Sequence, residues 1–156
     1  MTGAVVTLQP AAGPDPLPEG PAVMDQISKR FEPELLYARV GQKVEFRNSE
    51  DMQHNVTAIR RGPGTEIFNV GTEPHQMHSY TFDRAGQYDI ICDEHPGMQA
   101  TLIAADAARA TVSDQSGRFT FAKVPFGDYI LRVTFEGRTA EQPVRVAGAR
   151  TDVQVK

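Results

Sequence analysis

Residues 80–98 read Y-T-F-D-R-A-G-Q-Y-D-I-I-C-D-E-H-P-G-M, from Tyr80 to Met98. The apolar side chains in this stretch recur with a period of two, as in a half-buried strand. Tyr88, Ile90 and Cys92 share one strand face. Two large apolar neighbours make that the inward face, so the sulfur is expected to point inward at a strand end. A lone buried cysteine otherwise reads as a small hydrophobe. The histidine and methionine that follow it, each three residues on, change that reading.

Cys92 is the only cysteine of the chain. A thiol, an imidazole (His95) and a thioether (Met98) on one short loop are the soft and borderline donors that favour copper; carboxylate-only sites suit magnesium or calcium. All four histidines (His54, His75, His78, His95) and three of the five methionines (Met52, Met77, Met98) fall between positions 52 and 98. A blue-copper site needs one thiolate, two imidazoles and a weak axial thioether. The second imidazole is expected from His54, in E-D-M-Q-H-N-V at the start of a strand.

Competing readings use the same residues. Zinc would accept Cys92, His95 and His54, but Met98 suits zinc poorly. A Cys-His nucleophile pair would need an orienting third group and a substrate cleft, and the sequence suggests neither. Copper handling by a chaperone or storage protein also uses Met and His, and H-Q-M-H at His75–His78 bears on it. In an extended segment His75 and Met77 point one way and Gln76 and His78 the other. The four cannot hold one ion unless the chain turns there, and the segment is expected to be an exposed loop. Met52 is expected to be an apolar contact near the site.

The bulk composition narrows the classes. At 156 residues the chain holds one large domain or two small ones. Its 16 basic residues are scattered against 20 acidic ones, for a net charge of −4, without the clustered basic face that nucleic acid demands. No disulfide within the chain can form. No stretch approaches the about 18 apolar residues of a membrane span.

Short alternating runs among 13 glycines and 11 prolines predict an all-β chain with hardly any helix. Strands are expected at 4–8, 23–27, 35–40, 43–48, 54–59, 66–70, 78–82, 88–92 and 100–104. A Pro-rich loop covers 10–21. Val44, Phe46, Tyr80, Phe82, Tyr88 and Ile90 are expected to face inward. From residue 110 on the metal-ligand types stop. A polar turn at 113–117, alternating Phe119 and Phe121, a strand with Tyr129, Leu131, Val133 and Phe135, and strands at 140–146 and 151–155 predict a second small sheet.

V-E-F-R-N-S-E-D-M-Q-H-N-V together with Y-T-F-D-R-A-G-Q-Y-D-I-I-C-D-E-H-P-G-M resembles the cupredoxins over about residues 21–105. Within that family the short C-x-x-H-x-x-M loop is similar to the amicyanin-like rather than the plastocyanin-like proteins. The resemblance implies a Greek-key β-sandwich binding one copper per chain through His54, Cys92, His95 and Met98. It implies that Asn55 ties the ligand loop near the thiolate. The family's usual partner of that asparagine is a Ser or Thr after the cysteine; here it is Asp93.

The resemblance further implies single-electron transport without enzymatic activity. Implied partners are redox proteins such as a c-type cytochrome or a periplasmic dehydrogenase, and the implied location is the periplasm, after loss of an export leader. T-V-S-D-Q-S-G-R-F-T-F-A-K-V-P-F-G-D-Y-I-L-R-V resembles the carboxypeptidase regulatory-like, transthyretin-type sandwich. That implies a second module over 106–156, with the strand at 3–8 available to complete it.

Overall fold

A computed structural model of the chain describes residues 3–13 and 16–155. Among them there is no helix. The strands are β1 (Val5–Pro10), β2 (Ala22–Ile27), β3 (Arg30–Glu32), β4 (Leu35–Arg39), β5 (Lys43–Asn48), β6 (His54–Arg60) and β7 (Thr65–Thr72). They continue with β8 (Met77–Thr81), β9 (Gly86–Ile91), β10 (Gln99–Ala105), β11 (Arg109–Val112), β12 (Gly127–Phe135) and β13 (Arg138–Val146). The chain divides into a unit spanning Leu17–Ala105 and a second built from the N-terminal segment and the residues from Asp106 on.

The Leu17–Ala105 unit has two sheets, ordered β3-β2-β5-β8 and β4-β10-β9-β6-β7. Strands distant in sequence lie side by side: β2 pairs with β5 and β4 with β10, both in parallel. Met24, Phe31, Val44, Phe46 and Phe82 meet Ala38, Val56, Ala58, Tyr88, Ile90 and Leu102 in one apolar core. Five of the six expected inward residues are fully buried. Tyr80 is half-buried and packs on the core from its edge.

Two elements depart from the sequence reading. The strand β3 follows a two-residue turn, Ser28-Lys29, in which both residues have positive φ (53° and 56°). Such hairpin turns usually announce themselves by Asn-Gly or Asp-Gly, and this one does not. His78 lies in β8, where a strand is expected, but is half-buried there rather than exposed. It is paired with Phe46, and its ring centroid is 5.0 Å from that of Phe68. Burial holds its imidazole below the ordinary value.

The second unit is one sheet ordered β11-β1-β12-β13, with β1 between β11 and β12. Its core is Val6, Leu8, Tyr129 and Leu131. Phe119, Phe121, Val153 and Val155 pack on that core, but 118–123 and 151–155 form no strand. Their alternation reflects covering coil, not sheet pairing. The turn at 113–117 forms as expected: Asp114 Oδ1 accepts from the amides of Ser116 (2.8 Å) and Arg118 (2.9 Å). Tyr88 and Tyr129 each donate their hydroxyl to the carbonyl four residues back, on Arg84 and Pro125. These bonds anchor the corner ahead of β9 in one unit and of β12 in the other.

Candidate metal centre

The strand β9 ends at Ile91, and Cys92 is the next residue. The inward alternation of Tyr88 and Ile90 continues through it, so the thiol is buried at one end of the sandwich. The loop after it closes on itself. The Cys92 amide donates to the Met98 carbonyl (3.0 Å), and the Met98 amide donates to the His95 carbonyl (3.1 Å). Gly97 permits this tight return by adopting φ +81°, a region that side chains with a Cβ rarely enter. Met98 is buried, while His95 is half-buried and Pro96 and Gly97 are exposed.

His54 opens β6 and is fully buried. Its Nδ1 lies 3.1 Å from His95 Nδ1 and 3.8 Å from Cys92 Sγ, and His95 Nδ1 is 3.6 Å from the same sulfur. A point equidistant from these three atoms lies about 2.0 Å from each, the length of a metal–imidazole bond and slightly under that of a metal–thiolate bond. The three donors therefore converge as a metal would require, and their type fits copper. Met98, on the same loop, is buried at this end as well.

The distal side of His54 is fixed by a residue the sequence reading passed over. Glu50 Oε2 is 2.7 Å from His54 Nε2. Glu50 Oε2 also accepts the Lys29 amide at 3.1 Å, so the Ser28-Lys29 turn presents its backbone to the carboxylate. Burial raises the Glu50 carboxyl, but hydrogen bonds from Lys29, His54 and Ser28 outweigh it and hold the group below its ordinary value. An anionic Glu50 accepts a hydrogen bond from Nε2–H and leaves the Nδ1 lone pair free for a metal, as carboxylate–histidine pairs do elsewhere.

Buried polar groups hold the 48–55 segment in place. The Asn48 amide group donates to the carbonyls of Met52 and Thr72, both at 2.8 Å. Gln26 Nε2 donates to the Asn55 carbonyl (3.1 Å), and the Thr72 hydroxyl donates to Gln26 Oε1 (2.7 Å). None of Glu50, Gln26, Asn48 or Thr72 stands out in the sequence. Only the polar type of Gln26 and Asn48 at register positions shared with the buried Met24 and with Val44 and Phe46 offered a signal.

Asn55 meets Asp93 of the ligand loop through both ends of its side-chain amide. Asn55 Oδ1 accepts the Asp93 amide at 2.6 Å, and its Nδ2 donates to Asp93 Oδ2 at 2.8 Å. Elsewhere at this end, Met52 is 38% exposed. The segment around His75 does turn: His75 has φ +61°, its ring is exposed, and its Nε2 pairs with Asp51 at 2.7 Å. Met77 is 57% exposed and His78 points to the core side, so the H-Q-M-H residues are not brought to one point.

Residues 22–105 match the copper-binding proteins of the plastocyanin/azurin family. Over 86 residues the chain is 31% identical to amicyanin of Paracoccus denitrificans, covering 54% of this chain and 66% of that protein. Over 88 residues it is 30% identical to amicyanin-alpha of Methylorubrum extorquens, covering 55% of this chain and 73% of that protein. Among solved structures, a reduced Cu(I) form of an amicyanin variant aligns with a TM-score of 0.50 at 28% identity, over 64% of this chain and 97% of that one.

Proposed function

Because this chain belongs to the plastocyanin/azurin family of copper-binding proteins, we propose that it is a type 1 copper carrier that moves single electrons between redox proteins. The observation that carries this reading is the convergence of His54 Nδ1, Cys92 Sγ and His95 Nδ1 on one point. Met98 would complete the set as its thioether donor. Copper bound there supplies a one-electron couple between Cu(I) and Cu(II).

The chain's own part is to hold donors still. His54 opens β6 and Cys92 follows the end of the neighbouring β9, both buried in a packed sandwich, and Glu50 and Asn55 tie down what is left. Donors that do not move on a change of charge keep the reorganisation small. Four protein donors leave no open position for a substrate, which distinguishes a carrier from a catalytic metal site. His95 is the one donor that reaches partly into solvent, beside Pro96 and Gly97, and is the natural port for electrons. An apolar rim of that kind suits a brief redox encounter, where interfaces stay below about 1,200 Å².

The partners we infer are a c-type cytochrome or a periplasmic dehydrogenase, and the location we infer is the periplasm; both rest on likeness to amicyanin-like proteins. No helix of the described residues is long and apolar enough to cross a membrane. Residues 21–105 form the proposed copper domain. Residues 106–156, with the strand at 3–8, form the proposed carboxypeptidase regulatory-like module.

A second reading, copper handling, draws on the exposed thioethers Met52 and Met77 at the surface. Cyclic voltammetry of the copper-loaded protein separates the two. A carrier gives a reversible one-electron wave. Sluggish, irreversible electrochemistry with ready loss of Cu(I) to a chelator would favour handling instead.

A further inference from the structure

Asp93 follows the thiolate residue directly, at the position where the resemblance led one to expect a hydroxyl. Its carboxylate is held by three neutral donors. Oδ2 accepts from Asn55 Nδ2 (2.8 Å), Thr57 Oγ1 (2.9 Å) and Asn69 Nδ2 (3.0 Å). Asn55 and Thr57 lie two apart on β6, on the face opposite Val56 and Ala58, and Asn69 is paired with Thr57 across β7. Two adjacent strands thus build a polar cradle on the outer face of the sheet, and the ligand loop drops one carboxylate into it. The Asp93 amide, bonded to Asn55 Oδ1, fixes the residue from its other side.

Among the described residues, no ion pair involves Asp93. This matters because hydrogen bonds from neutral groups hold a charge in place without cancelling it, whereas a lysine or arginine would do both. A neutral cradle therefore leaves a stationary negative charge one residue from the sulfur. Cu(II) carries one more positive charge than Cu(I), so an anion nearby stabilises the oxidised state more.

We propose that Asp93, cradled by Asn55, Thr57 and Asn69, is a fixed anion that lowers the reduction potential of the centre at Cys92. The proposal rests on the copper reading given above. Asp93 is a positioning and tuning residue, not a ligand. Because its side chain is exposed, water and salt weaken its field, and the effect shrinks as ionic strength rises.

The test compares the midpoint potential of the copper-loaded protein with that of Asp93→Asn, which keeps the shape and loses the charge, and of Asp93→Ser. Glu94→Gln removes the neighbouring exposed charge and serves as the control. Asp93→Asn and Asp93→Ser should both shift the equilibrium toward Cu(I), by on the order of threefold to tenfold, where tenfold is 59 mV for one electron. Glu94→Gln should move it less, and the shift should narrow in high salt. Thermal unfolding of the metal-free variants separates tuning from scaffolding. Reduced stability with an unchanged potential would make Asp93 purely structural and overturn the proposal, as would a Glu94→Gln shift equal to that of Asp93→Asn. A wild-type chain that forms no copper centre would instead overturn the reading on which it rests.

Discussion

Glu50 Oε2 lies 2.7 Å from His54 Nε2, on the side of the ring away from Cys92 and His95. The imidazole is fully buried and the carboxylate half-buried, so the tautomer of His54 is set before any metal arrives. Removing that partner leaves a buried Nε2–H without an acceptor and frees the ring to turn. Glu50→Ala should weaken Cu(I) binding about 10- to 100-fold, measured by competition with a chelator of known affinity. Glu50→Gln, whose amide oxygen still accepts, should recover part of the loss.

Asn55 is buried and joins β6 to the ligand loop through both ends of its amide. Truncation strands the Asp93 amide and removes one of the donors to its carboxylate. Asn55→Ala should lower the stability of the metal-free protein by about 1–3 kcal/mol, read from chemical denaturation with an unchanged m-value.

Glu45 supplies a pH test outside the metal centre. Arg47 and then Lys43 hydrogen-bond its carboxylate and hold it below the ordinary value of 4.5, against a weaker desolvation effect. A carboxyl whose folded value is depressed stabilises the fold above its unfolded value and loses that contribution as pH falls through the folded one. Glu45→Gln should therefore be the less stable protein at pH 7. The gap between it and wild type should close as the pH is taken below about 4.5 and on through the lowered folded value. A gap that stays constant from pH 7 to pH 3 would remove the electrostatic explanation.

Much of the fold and half of the site could be read from residue order, for a physical reason. Alternation along β5 and β9 reports which way each side chain points, because a strand has a period of two whatever it pairs with. Cys92, His95 and Met98 could be read for a similar reason: they are near neighbours on one loop. Glu50, Gln26, Thr57 and Asn69 could not. Their partners lie on other strands or turns, as Lys29 does for Glu50 and Asn69 for Thr57, and even the four-residue step from Glu50 to His54 leaves no mark in residue type. The β2–β3 hairpin escaped because Ser28-Lys29 takes a turn conformation its residue types do not advertise. Phe119 and Phe121 misled in the opposite direction, since alternation also suits a coil that covers a sheet.

Electron exchange through His95 should depend on the neutral loop beside it. Pro96 is exposed, and unlike Gly97 it does not sit at positive φ, so Pro96→Glu changes charge without straining that turn. The variant should slow electron self-exchange, by on the order of tenfold at low salt, because two like charges meet at the port. Its visible spectrum should remain that of wild type. Equal self-exchange rates would move the port away from this loop.

The central claim is that Cys92 binds copper as a thiolate with His54 and His95. The most direct measurement is the optical spectrum during addition of Cu(II) to the metal-free protein. The account predicts an intense visible sulfur-to-copper charge-transfer band that saturates at one equivalent and is absent in Cys92→Ala. A colourless one-to-one Cu(II) complex, or a band that survives in Cys92→Ala, would contradict it.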